Sequence, residues 1–276
     1  MNYREIYLWL NKPWAFVRKD FISASSYKLS FLLELAGIFF SVTVFFFMSK
    51  LFGAAFIPQL KPYGGDYFAF VIIGVAFSSY LGIALGSMAG TIMSGQVTGT
   101  LEAMLATQTE IPALVISSSL YQFIWTSLRV VVYLVIGWLG FGLNFRGGNF
   151  FGAVLLLIMT MAAFSSVGII TASFVMIFKR GDPVSWVFTS LSGLLGGMYY
   201  PVSVLPDWMQ KIAYFFPLTN ALEGARLALL KGYTLGQLAP YFMSLAVFTA
   251  VAMPVSILGF KYAVKRAKMD GTLTQF

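Results

Sequence analysis

The longest uncharged stretches of this sequence determine its fold class. Three of them, Tyr67–Leu101, Gly147–Phe178 and Gly232–Phe260, contain no Asp, Glu, Lys or Arg. A membrane-spanning helix needs about 20 mostly apolar residues, because the hydrocarbon core is ~30 Å thick and a helix rises ~1.5 Å per residue. Each stretch exceeds that length, and the whole chain is 59% hydrophobic and only 10% charged. The sequence therefore predicts an all-α membrane protein with several spans.

Six membrane-spanning helices are predicted after an N-terminal interfacial helix. Within residues 1–28, Tyr3, Ile6, Tyr7 and Leu10 fall on one helical face, which is typical of a helix lying on the membrane surface. The first twenty residues lack the continuous apolar core of a secretory signal peptide. The predicted spans are Leu29–Ser49, Tyr67–Gly90, Ala113–Leu143, Phe150–Phe178, Val184–Tyr200 and Leu238–Tyr262.

The distribution of basic residues predicts the orientation of these spans. With the N-terminus in the cytosol, eleven basic residues lie on the cytosolic side, namely Arg4, Lys12, Arg18, Lys19, Lys28, Lys179, Arg180, Lys261, Lys265, Arg266 and Lys268. Six lie on the outer side, namely Lys50, Lys61, Arg146, Lys211, Arg226 and Lys231. Basic residues accumulate in cytosolic loops, so we expect a multi-pass protein of the cell (inner or plasma) membrane with both termini in the cytosol.

Three connections carry local information. A cytosolic loop over residues 91–112 and an external segment over residues 201–237 are long, whereas "KRGDP" is tight, with Asp182 able to cap a helix and Pro183 in its first turn. Within the external segment, Pro217–Gly232 is too short to span a membrane. We expect it to form a short helix with Asn220 as its N-cap and Gly232 as its stop.

Composition removes several classes of function. The chain has no Cys and no His, which excludes disulfides and thiol chemistry and removes the commonest metal ligand and general base. No phosphate-binding loop is present, and the "LSGLLGG" run at Leu191–Gly197 is interpreted as a helix-packing segment. We therefore predict no catalytic and no metal site. The net charge of +8 is attributed to topology and lipid headgroups rather than nucleic acid.

Two stretches together resemble a known family. In the cytosolic loop stands "GTLEAMLATQTEIP", Gly99–Pro112, and near the C-terminus stands "GGMYYPVSVLPDWMQKIAYFFPLTNALEGARLALLKG", Gly196–Gly232. Their ordered motifs, with the six predicted spans, resemble the permease subunits of type-2 ABC exporters. The chain departs from that pattern at "MSGQV", Met93–Val97, which offers no basic or acidic residue, and at Thr107-Gln108, where the family commonly has Thr-Pro.

The resemblance implies a single type-2 ABC transmembrane domain over residues 1–276. It implies a homodimeric or heterodimeric membrane permease bound to two separate nucleotide-binding ATPase subunits, with the homodimer as the expected form. ATP and Mg would be bound by the ATPase subunits, and no cofactor by this chain. The resemblance assigns docking on the ATPase to Gly99, Thr100, Leu101, Glu102, Met104 and Leu105. It assigns an external gate to the short helix, with Pro217, Glu223 and Arg226.

Glu34 and Arg129 are ionisable residues inside predicted spans. An unpaired charge in hydrocarbon is costly, so each is expected to face the bundle interior, a partner or water. The two residues either pair with each other, with Glu34 alternatively reaching the cytosolic surface, or one of them lies on the substrate path. Glu223 and Arg226, spaced i, i+3, are likewise able to pair on one helix or to serve the gate.

The leading hypothesis is the permease of an ATP-driven exporter for an amphipathic, lipid-like, drug or lipid-linked glycan substrate. A secondary transporter driven by an ion gradient is the first alternative, although the spans contain few ionisable residues and no inverted repeat is evident. A membrane-embedded enzyme is the second, weakened by the lack of His, Cys and clustered carboxylates.

Overall fold

The computed structural model describes residues 18, 21–22, 28–51, 58–97, 99, 111–145, 147–178 and 182–270, and the side chains of all of these except 111–119. Eight α-helices occur in this part of the chain: α1 (Lys28–Leu51), α2 (Tyr67–Val97), α3 (Ile111–Phe141), α4 (Phe150–Phe178), α5 (Pro183–Leu195), α6 (Asp207–Ala213), α7 (Pro217–Lys231) and α8 (Leu235–Met269). Two 3-10 helices, Pro58–Tyr63 and Val202–Val204, accompany them. The predicted all-α class is confirmed for the described residues.

Five of these helices, α1, α2, α3, α4 and α8, are long and apolar enough to cross a membrane. The span predicted over Val184–Tyr200 is wrong as a full-length helix, because α5 has 13 residues and reaches only about 20 Å. Asp182 and Pro183 begin it as predicted, with the Asp182 carboxylate accepting from the amide of Ser185 at 2.9 Å. The helix stops before Gly197, which adopts a φ of +69° that side chains disfavour.

The core of the bundle is built on α2 and α4. Helix α4 packs most extensively against α8 and α2, and α2 also packs against α3. Gly168 of α4 lies directly against the backbone of Ala84 in α2, where a Cβ atom would collide with the carbonyl oxygen. By contrast, α1 buries only Ile38 and Val42 among its side chains. The exposed apolar surface of α1 is suited to lipid.

One end of the bundle carries the short helices, and we call it the short-helix end. Tyr63 contacts Phe70 near the start of α2, with ring centroids 5.0 Å apart. The amide of Asn149, just before α4, donates to the carbonyl of Ala228 in α7 at 2.8 Å. Its side chain donates to the carbonyl of Tyr233, just before α8, at 2.8 Å. Helices α2, α4 and α8 therefore all start at the short-helix end and run away from it.

Helix α5 starts at the opposite end, because only a short connection separates it from the end of α4. By Met198 the chain has come within hydrogen-bonding distance of Arg226, which also bonds the backbone of Phe70. Residues 183–198 therefore traverse most of the bundle, partly as helix and partly as the turn that follows. Phe46, late in α1, contacts Phe68 at the start of α2 with ring centroids 5.5 Å apart, so α1 ends at the short-helix end. Lys28 of α1 and Met269 of α8 therefore both lie at the opposite end.

Some predictions fall outside the described residues. The interfacial helix predicted over residues 1–28 does so except for residues 18, 21, 22 and 28. So do Thr100, Leu101, Glu102, Met104 and Leu105 of the predicted coupling loop, while Gly99 is described as part of a turn. The loop was predicted to start near Thr91, and α2 continues as a helix to Val97, so residues 91–97 of the predicted loop are helical.

Candidate functional site

The start and the end of helix α7 are determined by the residues at those positions. Pro217 occupies its first turn, where the fixed φ of proline suits a helix start, and Gly232 ends it in the left-handed conformation with φ +65°. The predicted stop at Gly232 is confirmed. The predicted N-cap at Asn220 is wrong, because the helix begins one turn earlier. Asn220 instead donates its side-chain amide to the carbonyls of Tyr214 and Phe216, at 2.8 Å and 3.3 Å, and thereby joins α7 to the segment before it.

Almost the whole of α7 is buried in the bundle, where it packs against α4, α8 and α2. Its two central charged side chains are buried with it, Glu223 at 8% and Arg226 at 1% exposure. Charged residues are rarely buried unless they are paired or hydrogen-bonded, because removing a charge from water is costly. The contacts of these two side chains therefore define the candidate site.

The Arg226 guanidinium joins three segments of the chain. Its Nε donates to the carbonyl of Phe70 in α2 at 3.0 Å, and its Nη2 donates to the carbonyl of Met198 in the turn after α5 at 3.1 Å. The guanidinium carbon also lies 3.5 Å from the centre of the Phe70 ring and 5.9 Å from that of Tyr63. Hydrogen bonds and aromatic faces together replace the water that the cation loses on burial.

Gly74 provides the space for this arrangement. A Cβ atom at Gly74 would collide with both the Met198 carbonyl oxygen and Nη2 of Arg226. Glycine is therefore required at this position of α2 for the Met198 turn and the guanidinium to approach the helix backbone. We call Phe70, Gly74, Met198 and Arg226 the arginine clamp.

The Glu223 carboxylate lies in a group of phenols beside the clamp. Burial raises the pKa of Glu223, while the charge of Arg226 and the hydroxyl groups of Tyr214 and Tyr63 oppose that shift. Burial also lowers the pKa of Arg226, opposed by Tyr63 and Glu223. The two charges therefore support each other electrostatically in a buried site.

The i, i+3 ion pair predicted between Glu223 and Arg226 does not occur among the ion pairs of the described residues. The guanidinium is directed to backbone carbonyls, and the carboxylate to tyrosines. The sequence did not identify the residues that contact these two charges, namely Phe70, Gly74, Met198, Tyr63 and Tyr214. Of these, only Gly74, a small residue within an apolar span, carries a sequence pattern that indicates close packing.

The loop between α3 and α4 holds the other end of α7. Asn149 in this loop also caps α4, because its Oδ1 accepts from the amide of Gly152 at 2.8 Å. A Cβ atom at Gly232 would collide with the carbonyl oxygen of Gly147, so this loop and the end of α7 are in direct contact. Helix α7 is thus fixed at both ends and through Arg226 in its middle.

Glu34 and Arg129 contact each other, as one of the two sequence interpretations predicted. Nε of Arg129 forms an ion pair with Oε1 of Glu34, and the indole of Trp125 donates to both carboxylate oxygens at 3.2 Å. The pair joins α1 to α3. It lies apart from the arginine clamp, since α1 packs against α3 and α2 but not closely against α7.

The described residues bring together no group of three or more acidic side chains that could hold a metal ion. The Arg226 guanidinium of the clamp bonds backbone carbonyls of two other segments and so holds α7 against α2 and the turn after α5. The five described helices that are long and apolar enough to span a membrane define a multi-pass helical membrane protein.

Comparison with protein families identifies the class further. Residues 14–230 match the family described as ABC-2 type transporter, so the chain belongs to that family. The predicted family is thereby confirmed. The chain is a permease subunit of an ABC transporter, and its family works with an ABC ATPase subunit. Permeases of this family are generally non-catalytic transmembrane subunits. The comparison with curated proteins gives no match.

Proposed function

We propose that this permease works as an exporter, moving an amphipathic, lipid-like, drug or lipid-linked glycan substrate outward. Two permease chains, with a homodimer as the expected form, would bind two ATPase subunits that hold ATP and Mg. Coupling to the ATPase is assigned to the segment of Gly99, Thr100, Leu101, Glu102, Met104 and Leu105. That segment follows α2, whose start carries part of the arginine clamp.

The buried arginine clamp is the observation that carries this proposal. It joins α7 to α2 and to the turn after α5, so a displacement of α2 relative to α5 would be transmitted to α7 through Arg226. We assign the external gate to α7, with Pro217 at its start and Glu223 and Arg226 in its buried centre. The short-helix end would then face the outside, in agreement with the distribution of basic residues.

Co-purification tests the transporter class. The tagged permease, co-expressed with its genomic neighbours, should retain an ATPase subunit in a fixed stoichiometry, and ATP should drive export from vesicles. Proton-dependent uptake without any associated ATPase would overturn the proposal in favour of an ion-driven transporter.

Transport by α7 variants tests the gate. Glu223→Ala and Arg226→Ala should change the transport rate, whereas Lys231→Ala, an exposed position on the same helix, should not. Glu223→Gln keeps the shape of the side chain and controls for misfolding. The gate assignment fails if both alanine variants are expressed normally and transport at the wild-type rate.

A further inference from the structure

The last helix continues beyond the thickness of a membrane and ends in lysines. Helix α8 has 35 residues, about 52 Å in length. It carries no charge from Leu235 to Phe260, which covers about 39 Å and exceeds the ~30 Å hydrocarbon core. Lys261, Lys265 and Lys268 follow at i, i+4 and i+7 and so share one face of the helix. We expect them at and just beyond the depth where the hydrocarbon core ends, because a charge inside that core is costly.

An exposed apolar stripe leads directly to these lysines. Val251, Val255, Leu258 and Tyr262 are spaced by three and four residues, and each is more than half exposed. The opposite face of the same turns, Ala263, Val264 and Ala267, is buried against the bundle. Lys261 and Lys265 flank the stripe at i+3 and i+7 from Leu258, and Lys268 lies about a quarter of a turn round the helix from Leu258. The apolar stripe suits the hydrocarbon, and the exposed lysines beside its end suit the headgroups.

The lysines are available for a ligand, unlike the arginine among them. Arg266 donates to the hydroxyl of Tyr262 at 3.4 Å and pairs with Asp270 at 3.6 Å, both on its own helix. Lys261, Lys265 and Lys268 are exposed and have no ion pair among the described residues. Their flexible stems allow the ammonium groups to reach a phosphate at the membrane surface.

We propose that this face of α8 is a binding site for an anionic phospholipid. The phosphate headgroup is bound by Lys261, Lys265 and Lys268, and an acyl chain lies along Val251, Val255 and Leu258. Charge complementarity selects the headgroup, and the continuous apolar stripe favours a lipid over an acidic protein surface, which would leave the stripe uncovered. This face is termed the lysine face below.

Lipid binding to the purified full-length chain tests the site. Native mass spectrometry in detergent would measure the dissociation constants of phosphatidylglycerol and of zwitterionic phosphatidylcholine. Wild type should bind phosphatidylglycerol more tightly than phosphatidylcholine. The affinity for phosphatidylglycerol should fall by about fivefold for each lysine removed, in the series K261Q, K261Q/K265Q and K261Q/K265Q/K268Q. The matched control K50Q/K211Q/K231Q changes three lysines at the short-helix end. It should leave the dissociation constant of the highest-affinity phosphatidylglycerol site unchanged.

Further variants and ligands make the result decisive. The triple Lys→Arg variant should restore binding, because it keeps the charge. Glycerol 3-phosphate should not compete, because it lacks acyl chains; competition would show a free-phosphate site and overturn the lipid assignment. Equal affinity of wild type and the triple Gln variant would also overturn it. So would a triple Gln variant that binds phosphatidylglycerol normally but loses its ATPase subunit, since the lysine face would then be a protein-docking surface.

Discussion

Arg226 shows how a membrane protein accommodates a buried cation. Its planar guanidinium satisfies two carbonyls at once and stacks on the Phe70 ring at 3.5 Å, which a lysine ammonium would do less well. The neighbouring Glu223 supplies a compensating charge. Removal of Arg226 would leave buried groups unpaired, and such groups cost more than the original contact contributed.

Replacement of Arg226 is therefore expected to destabilise the protein strongly. Arg226→Met should lower the free energy of unfolding by about 3–5 kcal/mol, the usual cost of breaking a buried charged network. Arg226→Lys should recover part of the loss because it keeps the charge. Thermal unfolding in detergent measures both. Arg266→Met, at an exposed position, is the matched control and should shift the melting temperature little. Equal melting temperatures for Arg226→Met and Arg266→Met would contradict the clamp.

Gly74 gives an independent test of the same contacts. Gly74→Ala introduces a methyl group that collides with the Met198 carbonyl and the guanidinium, and we expect a loss of about 1–3 kcal/mol. Gly82→Ala, two turns further along α2, is the control, because a Cβ there has no atom within 4 Å. Gly82→Ala should be neutral or stabilising by up to about 1 kcal/mol. Melting temperatures of the two variants in the opposite order would exclude the close approach at Gly74.

The residues of the clamp show why the sequence predicted only part of the site. The sequence identified Arg226 and Glu223 because charges stand out in an apolar chain. The hydrogen-bond partners of Arg226 lie 28 and 156 positions away, and both are backbone carbonyls, whose roles do not depend on residue type. No spacing rule relates such positions, so the i, i+3 pair was the nearest prediction and it was wrong.

At the scale of the elements, hydropathy predicted the long helices well and α5 poorly. Long apolar runs with at most isolated charges, such as Glu34 and Arg129, predict spanning helices from length and polarity alone, as they did for α1, α2, α3, α4 and α8. Hydropathy does not distinguish a continuous helix from a shorter helix followed by an apolar turn. Because the residues after α5 are apolar, a full-length span was predicted there. The chain instead turns at Gly196 and Gly197.

The ion pair between α1 and α3 matters because α1 buries so little. Arg129→Ala leaves Glu34 without its cation, so we expect a loss of about 1–3 kcal/mol in the free energy of unfolding and a lower purified yield. The double variant Glu34→Gln with Arg129→Gln should regain part of this stability, because no charge is then left unpaired. Thermal unfolding of the single and double variants measures the coupling. A stable Arg129→Ala protein that no longer transports would instead place the pair on the substrate path.

At the scale of the whole molecule, the described residues include five long helices, and yet the start of α1 and the end of α8 lie at the same end of the bundle. The contacts of Arg226 with Met198 and of Asn149 with Tyr233 put the starts of α2, α4 and α8 at the short-helix end. The sixth traverse consists of α5 and the turn after it. A count of long helices alone would have placed Lys28 and Lys265 on opposite faces of the membrane.

Labelling of single cysteines distinguishes these two topologies, and the absence of native cysteine makes it straightforward. Lys28→Cys and Lys265→Cys probe the two ends of the described chain, and Lys211→Cys probes the short-helix end; all three positions are exposed. In intact cells, a membrane-impermeant maleimide should label Lys211→Cys. It should label Lys28→Cys and Lys265→Cys only after permeabilisation, because six traverses return the chain to the cytosol. The cysteine-free parent is the control for background. Labelling of Lys265→Cys but not Lys28→Cys in intact cells would mean that residues 183–198 do not cross, and α7 could then not close the outer face.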